Sequence, residues 1–235
     1  MGRRTLVPLA IVMLLVAALS YAVFAPPAGA RTPASMRHFN PSRVAELEVA
    51  MWQAYYAKNR VSLFADLVMM LREQYRYSWS VAAQQGFYFA RAAARFSDMR
   101  SNYEVVLPDL EKGYQIAKDW SHADFDPQAV ARAELAWWVA RRVPGQNSAE
   151  EVGKLIAQEY ELLYGVPREQ LFTSGFLRAQ AGALRDAQAQ SPDWNEIGRF
   201  LQQSYIDLRQ ALSTQMAVLI GVDVKSPDGA SIRFN

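Results

Sequence analysis

The sequence predicts an all-α protein, and three observations support this fold class. The chain of 235 residues contains seven or eight segments in which apolar side chains recur every three or four residues, as on one face of a helix. Helix-start signals precede several of them, with a proline after Asn40 and after Asp126 and a capping box at Ser148. The alternation typical of strands is missing outside residues 221–235. We therefore predict one multi-helix domain, an irregular bundle or a short array of helical hairpins, behind an N-terminal apolar helix.

The N-terminal segment is the most apolar part of the sequence. After Arg3 and Arg4 the chain stays uncharged through Ala30, and its apolar core of about 20 residues is long enough to cross a bilayer. Residues 1–25 are therefore predicted to be a signal-anchor or transmembrane helix that contacts the membrane through residues 5–25, with the body outside the cytoplasm. The small-x-small pattern that ends at Ala30 is typical of a cleavage site, so cleavage near Ala30 and release of the body is the alternative.

The remainder divides into a linker, a helical domain and a tail. The Pro-, Ala- and Arg-rich residues 26–39 are predicted to be the linker, residues 40–220 the domain and residues 221–235 the tail. Within the domain, helices are predicted over residues 40–58, 61–76, 79–99, 102–120, 126–143, 148–164 and 168–190, and from 191 to at least 212.

Local signals place these helices in order. The first begins at Asn40 with the proline that follows it. The second is indicated by apolar residues at helical spacing along one face. Small residues share one face of the third helix with Trp79, which lets a neighbouring helix approach closely. The fourth has Pro108 in its first turn, and the sixth runs from its capping box to Gly165. The seventh is Ala-rich, and the eighth starts at Ser191 and the proline after it.

We expect the fold to be organised around the fifth predicted helix, residues 126–143. Its residues are apolar almost all round, which is typical of a buried helix. Two charged residues, Glu134 and Arg141, lie on the flank that also carries Trp137. We therefore predict that this helix threads the interior and that Trp137 and Trp138 do not both face solvent.

Two carboxylates fall beside or within apolar stripes, Glu48 on the first helix and Glu134 on the fifth. A buried carboxylate is costly unless it is paired. Each is therefore either a structural group bound to an arginine or one half of a general acid–base pair. We expect Glu48 or Glu134 to be hydrogen-bonded to an arginine, with Arg72, Arg91 and Arg132 as candidate partners.

Candidate binding residues come from these charges and from aromatic side chains. A large aromatic residue at core spacing is usually buried, whereas Trp52 or Trp138 at the mouth of a pocket would indicate a cleft for a hydrophobic or sugar-like ligand. The third helix also carries a mixed tyrosine and arginine face that suits a groove for a protein partner. The candidate binding set is Glu48, Trp52, Tyr55, Tyr88, Arg91, Arg95, Glu134, Trp138 and Arg141.

Composition excludes several kinds of site. The chain has no cysteine, which excludes disulfides, thiolate metal sites and a cysteine nucleophile. Its two histidines, His38 and His122, lack the Glu three residues earlier that a di-iron bundle needs, so no metal, cofactor or catalytic residue is predicted. Of 25 basic residues, Arg3 and Arg4 lie in the leader, and the other 23 equal the 23 acidic residues. A neutral body argues against a nucleic-acid partner.

Three segments, EVAMWQAYY (48–56), LPDLEKGY (107–114) and AELAWWVARR (133–142), resemble segments of bacterial hypothetical proteins with an N-terminal apolar segment and an all-helical body. The resemblance implies that fold and a bacterial envelope location, and no activity. We expect a non-enzymatic, single-pass protein of the bacterial inner membrane whose periplasmic body is an adaptor or scaffold for a protein partner. The second hypothesis is a small-molecule or lipid carrier with an apolar cavity. The third is a hydrolase or lyase that uses Glu48 and Glu134.

Overall fold

The structure is a computed structural model that describes residues 6–27 and 29–219, and the regular secondary structure in this part of the chain consists of helices alone. Its α-helices are α1 (Leu6–Phe24), α2 (Pro41–Tyr56), α3 (Arg60–Tyr75), α4 (Trp79–Asp98), α5 (Leu107–Ser121), α6 (Pro127–Ala140), α7 (Ala149–Tyr164), α8 (Arg168–Ala187) and α9 (Trp194–Leu219). Short 3₁₀ helices, Pro33–Arg37 and Tyr103–Val106, precede α2 and α5. The all-α prediction is confirmed, and α2 to α9 match the eight helices predicted for the body. The predicted tail lies outside the described residues.

Helix α1 coincides with the predicted N-terminal apolar helix and contacts α4. Large apolar side chains on it, such as Leu14, Leu19 and Phe24, are more than half exposed. Among the helices of the described residues, none is both long enough and apolar enough to pass through a membrane.

Side-chain caps explain where several helices begin. The side chains of Asn40, Asp126 and Ser148 each accept a hydrogen bond from a backbone N–H two or three residues ahead. Each cap of this kind stabilises a helix by about 1 kcal/mol. At the end of α7, Gly165 adopts the left-handed conformation, with φ of +66°, that this type of C-terminal cap requires. These local signals are the ones that the sequence displays.

The eight helices of the body form a closed ring. Each helix from α2 to α8 packs on the next one in the chain, and α9 packs back on α2. Helix α6 is therefore one member of the ring, between α5 and α7, and is not an axis that the other helices surround. Trp137 is buried and Trp138 partly buried, so the expectation that they do not both face solvent is confirmed. Side chains from all eight helices join one hydrophobic core.

Helices α7 and α8 approach each other through glycine. A Cβ atom on Gly175 would lie 2.5 Å from the carbonyl oxygen of Gly153, and one on Gly153 would lie 2.7 Å from the Cα of Phe176. Backbone atoms cannot turn aside as the tip of a side chain can, so both positions need glycine. The close contact fixes α8, which carries Arg178, against α7, which carries Glu159.

Candidate functional site

The ring of helices encloses a cavity of about 260 Å³. Every helix from α2 to α9 contributes at least one side chain to its wall. Most of the wall is apolar or aromatic, and its aromatic members are Trp52, Tyr55, Tyr56, Tyr75, Phe89, Phe96, Tyr114, Trp137, Trp138, Tyr160 and Tyr205. Since the wall draws on the whole ring, the cavity exists only when the ring is closed.

Two carboxyl groups lie side by side in the cavity wall, on neighbouring helices: Glu134 on α6 and Glu159 on α7. Glu159 is buried, and each of its oxygens accepts a hydrogen bond: Oε1 from the Tyr114 hydroxyl at 3.0 Å and Oε2 from the Trp137 indole N–H at 2.6 Å. Glu134 has fewer hydrogen bonds, because its Oε2 is buried and has no hydrogen-bond partner among the described residues. Such an atom costs free energy until something binds it.

The environment of the pair changes its protonation. Burial, followed by the charge of Glu159, raises the pKa of Glu134 to about 8, and the nearby Tyr114 hydroxyl and the charge of Arg178 act in the opposite direction. Burial also raises the pKa of Glu159. Glu134 is partly exposed, but it faces the cavity and not bulk water. Loss of hydration is therefore still the largest cause of its raised pKa. At neutral pH Glu134 therefore holds a proton, and the pair carries no more than one negative charge.

Glu48 lies just behind this wall and is fully buried. Its Oε1 accepts hydrogen bonds from Nε and Nη2 of Arg178 at 3.0 and 2.6 Å, and its Oε2 accepts one from the Tyr205 hydroxyl at 2.7 Å. The Arg178 guanidinium also stacks over Trp137, 4.9 Å from the ring centroid. The expected bond between Glu48 or Glu134 and an arginine is thus present at Glu48. Its partner, Arg178, lies 130 residues away on α8, so the expected partners Arg72, Arg91 and Arg132 were wrong.

Two consecutive arginines after α6 hold the edge of the cavity together. Arg141 donates through Nη2 to the Tyr56 hydroxyl at 3.1 Å and to Asp186 at 2.8 Å. Arg142 donates through Nη1 to the carbonyl oxygens of Phe96 and Met99, at 2.9 and 3.0 Å, and through Nη2 to the Tyr55 hydroxyl at 3.3 Å. These bonds tie the end of α6 to α2, α4 and α8. The tyrosines and arginines here are partly exposed, so this edge is the mouth of the cavity.

The structure brings most of the candidate binding residues to this one place. Those that line the cavity are Trp52, Tyr55, Glu134, Trp138 and Arg141, and Glu48 touches it through Arg178. The other three, Tyr88, Arg91 and Arg95, are not part of its wall. Arg91 and Arg95 instead form ion pairs with Asp109 at the start of α5.

Sequence reasoning missed Glu159, Tyr114 and Arg178. Glu159 carried a usable signal, because it follows Ile156 by three residues and precedes Leu163 by four, as Glu48 does within its own apolar stripe. Tyr114 and Arg178 gave no such signal. A tyrosine at core spacing and an arginine on an Ala-rich helix are both common in ordinary helices, and only the ring brings them to the carboxyl groups.

No cluster of three or more metal-ligating side chains occurs within the described part of the chain. Comparison with known proteins found no matching family model, curated protein or solved structure. The geometry of the cavity is therefore the basis for any functional proposal.

Proposed function

We propose that this protein binds a small, mainly apolar molecule in the ring cavity and acts as its carrier or receptor. The observation that supports this most directly is the cavity of about 260 Å³, to which all eight ring helices contribute. Ligand sites in proteins typically combine apolar and aromatic walls with a few placed polar groups. The aromatic wall and the Glu134–Glu159 pair have this composition.

The contacts of Glu48 favour a carrier over a hydrolase or lyase that uses Glu48 and Glu134. An acid–base pair must reach its substrate. Glu48 is fully buried, and both of its oxygens are engaged by Arg178 and Tyr205. Its role in this proposal is to hold Arg178, and with it α8, in place against the cavity.

Dye binding tests the proposal. The full chain, in one detergent throughout, is titrated with N-phenyl-1-naphthylamine, an apolar dye that fluoresces more strongly in apolar surroundings. Saturable binding is expected, and Ala93→Phe, which fills part of the cavity, should weaken it at least tenfold. Ala94→Phe is the matched control, because Ala94 is also partly exposed on α4 but does not line the cavity. Absence of saturable binding, or equal losses in both variants, would contradict the proposal.

Attachment to the inner membrane through residues 5–25, with the body in the periplasm, is part of the same proposal. The exposed apolar side chains of α1 support it, since exposed apolar surface of this extent is typical of a membrane or protein contact. Fractionation of bacterial cells tests it. The full chain should pellet with membranes and resist a high-salt wash, and a soluble product that starts at Arg31 would count against the tether.

A protein-binding role is the second candidate, and one surface of α4 favours it. Phe87 is half exposed there, next to Tyr88, and the guanidinium of Arg91 lies over both rings. Aromatic and arginine side chains are enriched in protein interfaces. Pull-down from detergent-solubilised membranes should recover a partner with the wild type and lose it with Phe87→Ser. Equal recovery with the two baits would exclude this surface.

A further inference from the structure

The carboxyl pair in the cavity has no cation of its own. None of the ion pairs between described residues involves Glu134 or Glu159. The charged and titratable groups that act on Glu134 come from four neighbouring helices: Tyr75 of α3, Tyr114 of α5, Glu159 of α7 and Arg178 of α8. The one cation among them, Arg178, is already bound to the carboxylate of Glu48. A negative charge on the pair therefore has hydrogen-bond donors at Glu159 but no ion-pair partner among the described residues.

The arginines of the cavity wall are bound to groups other than Glu134 and Glu159. Arg178 is neutralised by Glu48, and Arg141 by Asp186 at the mouth. Arg142 is held by backbone carbonyl oxygens and stacks over Phe96, 3.8 Å from the ring centroid. Arg185, which lies over Tyr56, also pairs with Asp186. Of the four acidic groups of the site, Glu48 and Asp186 therefore have arginine partners, and no arginine of the described residues lies within ion-pair distance of Glu134 or Glu159.

We propose that the cavity selects a ligand with a positively charged amine or ammonium group on an apolar or aromatic body, and that Glu134 and Glu159 hold the charged group. This inference rests on the proposed binding function. Glu134 lines the cavity and is partly exposed there, and Glu159 supplies a second carboxyl group in the same wall. The rings of Tyr75, Tyr114 and Tyr160 line the same cavity, and the negative faces of aromatic rings attract cations.

Binding of such a cation replaces a proton. The empty site carries the proton on Glu134, and the ligand's positive charge takes its place as the proton leaves for solvent. Binding of a permanently charged ligand must then tighten as the pH rises towards the pKa of Glu134, which is about 8. The apparent dissociation constant should be about tenfold larger at pH 7 than at pH 9, because one proton is displaced per ligand. A neutral ligand that accepts a hydrogen bond from protonated Glu134 would show the opposite trend.

Two probes of nearly equal shape test the proposal: benzyltrimethylammonium, whose charge does not vary with pH, and its neutral carbon isostere neopentylbenzene. Each competes with N-phenyl-1-naphthylamine for the full chain at pH 6, 7, 8 and 9. We expect the ammonium probe to bind at least tenfold more tightly than the isostere at pH 9 and to lose this advantage by pH 6. Calorimetry in two buffers of different ionisation enthalpy should show release of about one proton per ammonium bound at pH 7.

Glu134→Gln separates charge from shape. The glutamine is neutral, as protonated Glu134 is, so the variant should fold and bind dye and isostere as the wild type does. Its ammonium binding at pH 9 should fall at least tenfold and lose the pH dependence that Glu134 supplies. Glu46→Gln, on the exposed face of α2, is the matched control and should change nothing. Dye binding without any preference for the ammonium, or a preference that survives in Glu134→Gln, overturns the ligand class alone. Absence of dye binding overturns the cavity function with it.

Discussion

The buried carboxyl group of Glu134 makes the stability of the ring depend on pH, and Glu134→Gln should remove most of that dependence. Burial first, and the charge of Glu159 second, raise the pKa of Glu134 from 4.5 to about 8 in the folded protein. Between these two values the folded chain holds a proton that the unfolded chain has released. The free energy of unfolding must therefore fall as the pH rises through this window, since the folded state binds more protons.

The size of the effect follows from the two pKa values. Each unit of difference is worth about 1.4 kcal/mol, so protonation of Glu134 costs the folded wild type about 3 kcal/mol at pH 7. The full cost, reached above pH 8, is about 5 kcal/mol. The raised pKa of Glu159 acts in the same direction. Glutamine keeps the shape and carries no titratable group. Relative to the wild type, Glu134→Gln should therefore gain about 3 kcal/mol between pH 4 and pH 7.

Urea unfolding followed by tryptophan fluorescence, at pH 4, 5, 7 and 9, measures this difference. The exposed Glu46→Gln variant is the control and should track the wild type at each pH. A stability difference between Glu134→Gln and the wild type that is the same at pH 4 and pH 9 would refute this assignment of the proton. In that case Glu134 would not hold a proton in the folded ring.

Three further changes probe the packing around the site. Arg178→Met leaves Glu48 buried without its counter-charge and should lower the free energy of unfolding in urea by about 3–5 kcal/mol. Adding Glu48→Gln to this variant should restore part of that stability. An unchanged free energy of unfolding in Arg178→Met would show that the ion pair does not stabilise the fold. Gly175→Ala forces α7 and α8 apart and should lower the free energy of unfolding by about 1–3 kcal/mol. Gly198→Ala is the control, because its added Cβ would only touch a valine methyl at 3.4 Å, and it should leave the melting temperature unchanged or raise it. Equal melting temperatures for these two variants would contradict the close helix contact. Trp137→Phe removes the N–H that donates to the Glu159 carboxyl and should cost about 1.5–3 kcal/mol, measured at pH 7 against the wild type.

Much of the helical layout could be predicted from the sequence because its signals are local. Asn40, Asp126 and Ser148 mark helix starts through hydrogen bonds that span two or three residues, and α2, α6 and α7 begin where they indicate. The spacing of apolar residues also identified Glu48 as a buried carboxylate, since a position within the apolar stripe of a helix faces the core whatever lies opposite.

The closed ring, the cavity and the partners within it were decided by tertiary structure alone. Periodicity indicates which face of a helix is buried, but not which helix it faces. The packing of α9 on α2, and the bond from Arg178 to Glu48 across 130 residues, therefore have no counterpart in any local pattern. The same reason explains why α6, apolar almost all round, was expected at the centre. One of its faces packs on α5 and α7, and another carries Trp137 and Trp138 to the cavity wall, so apolar side chains surround the helix although it is one member of the ring.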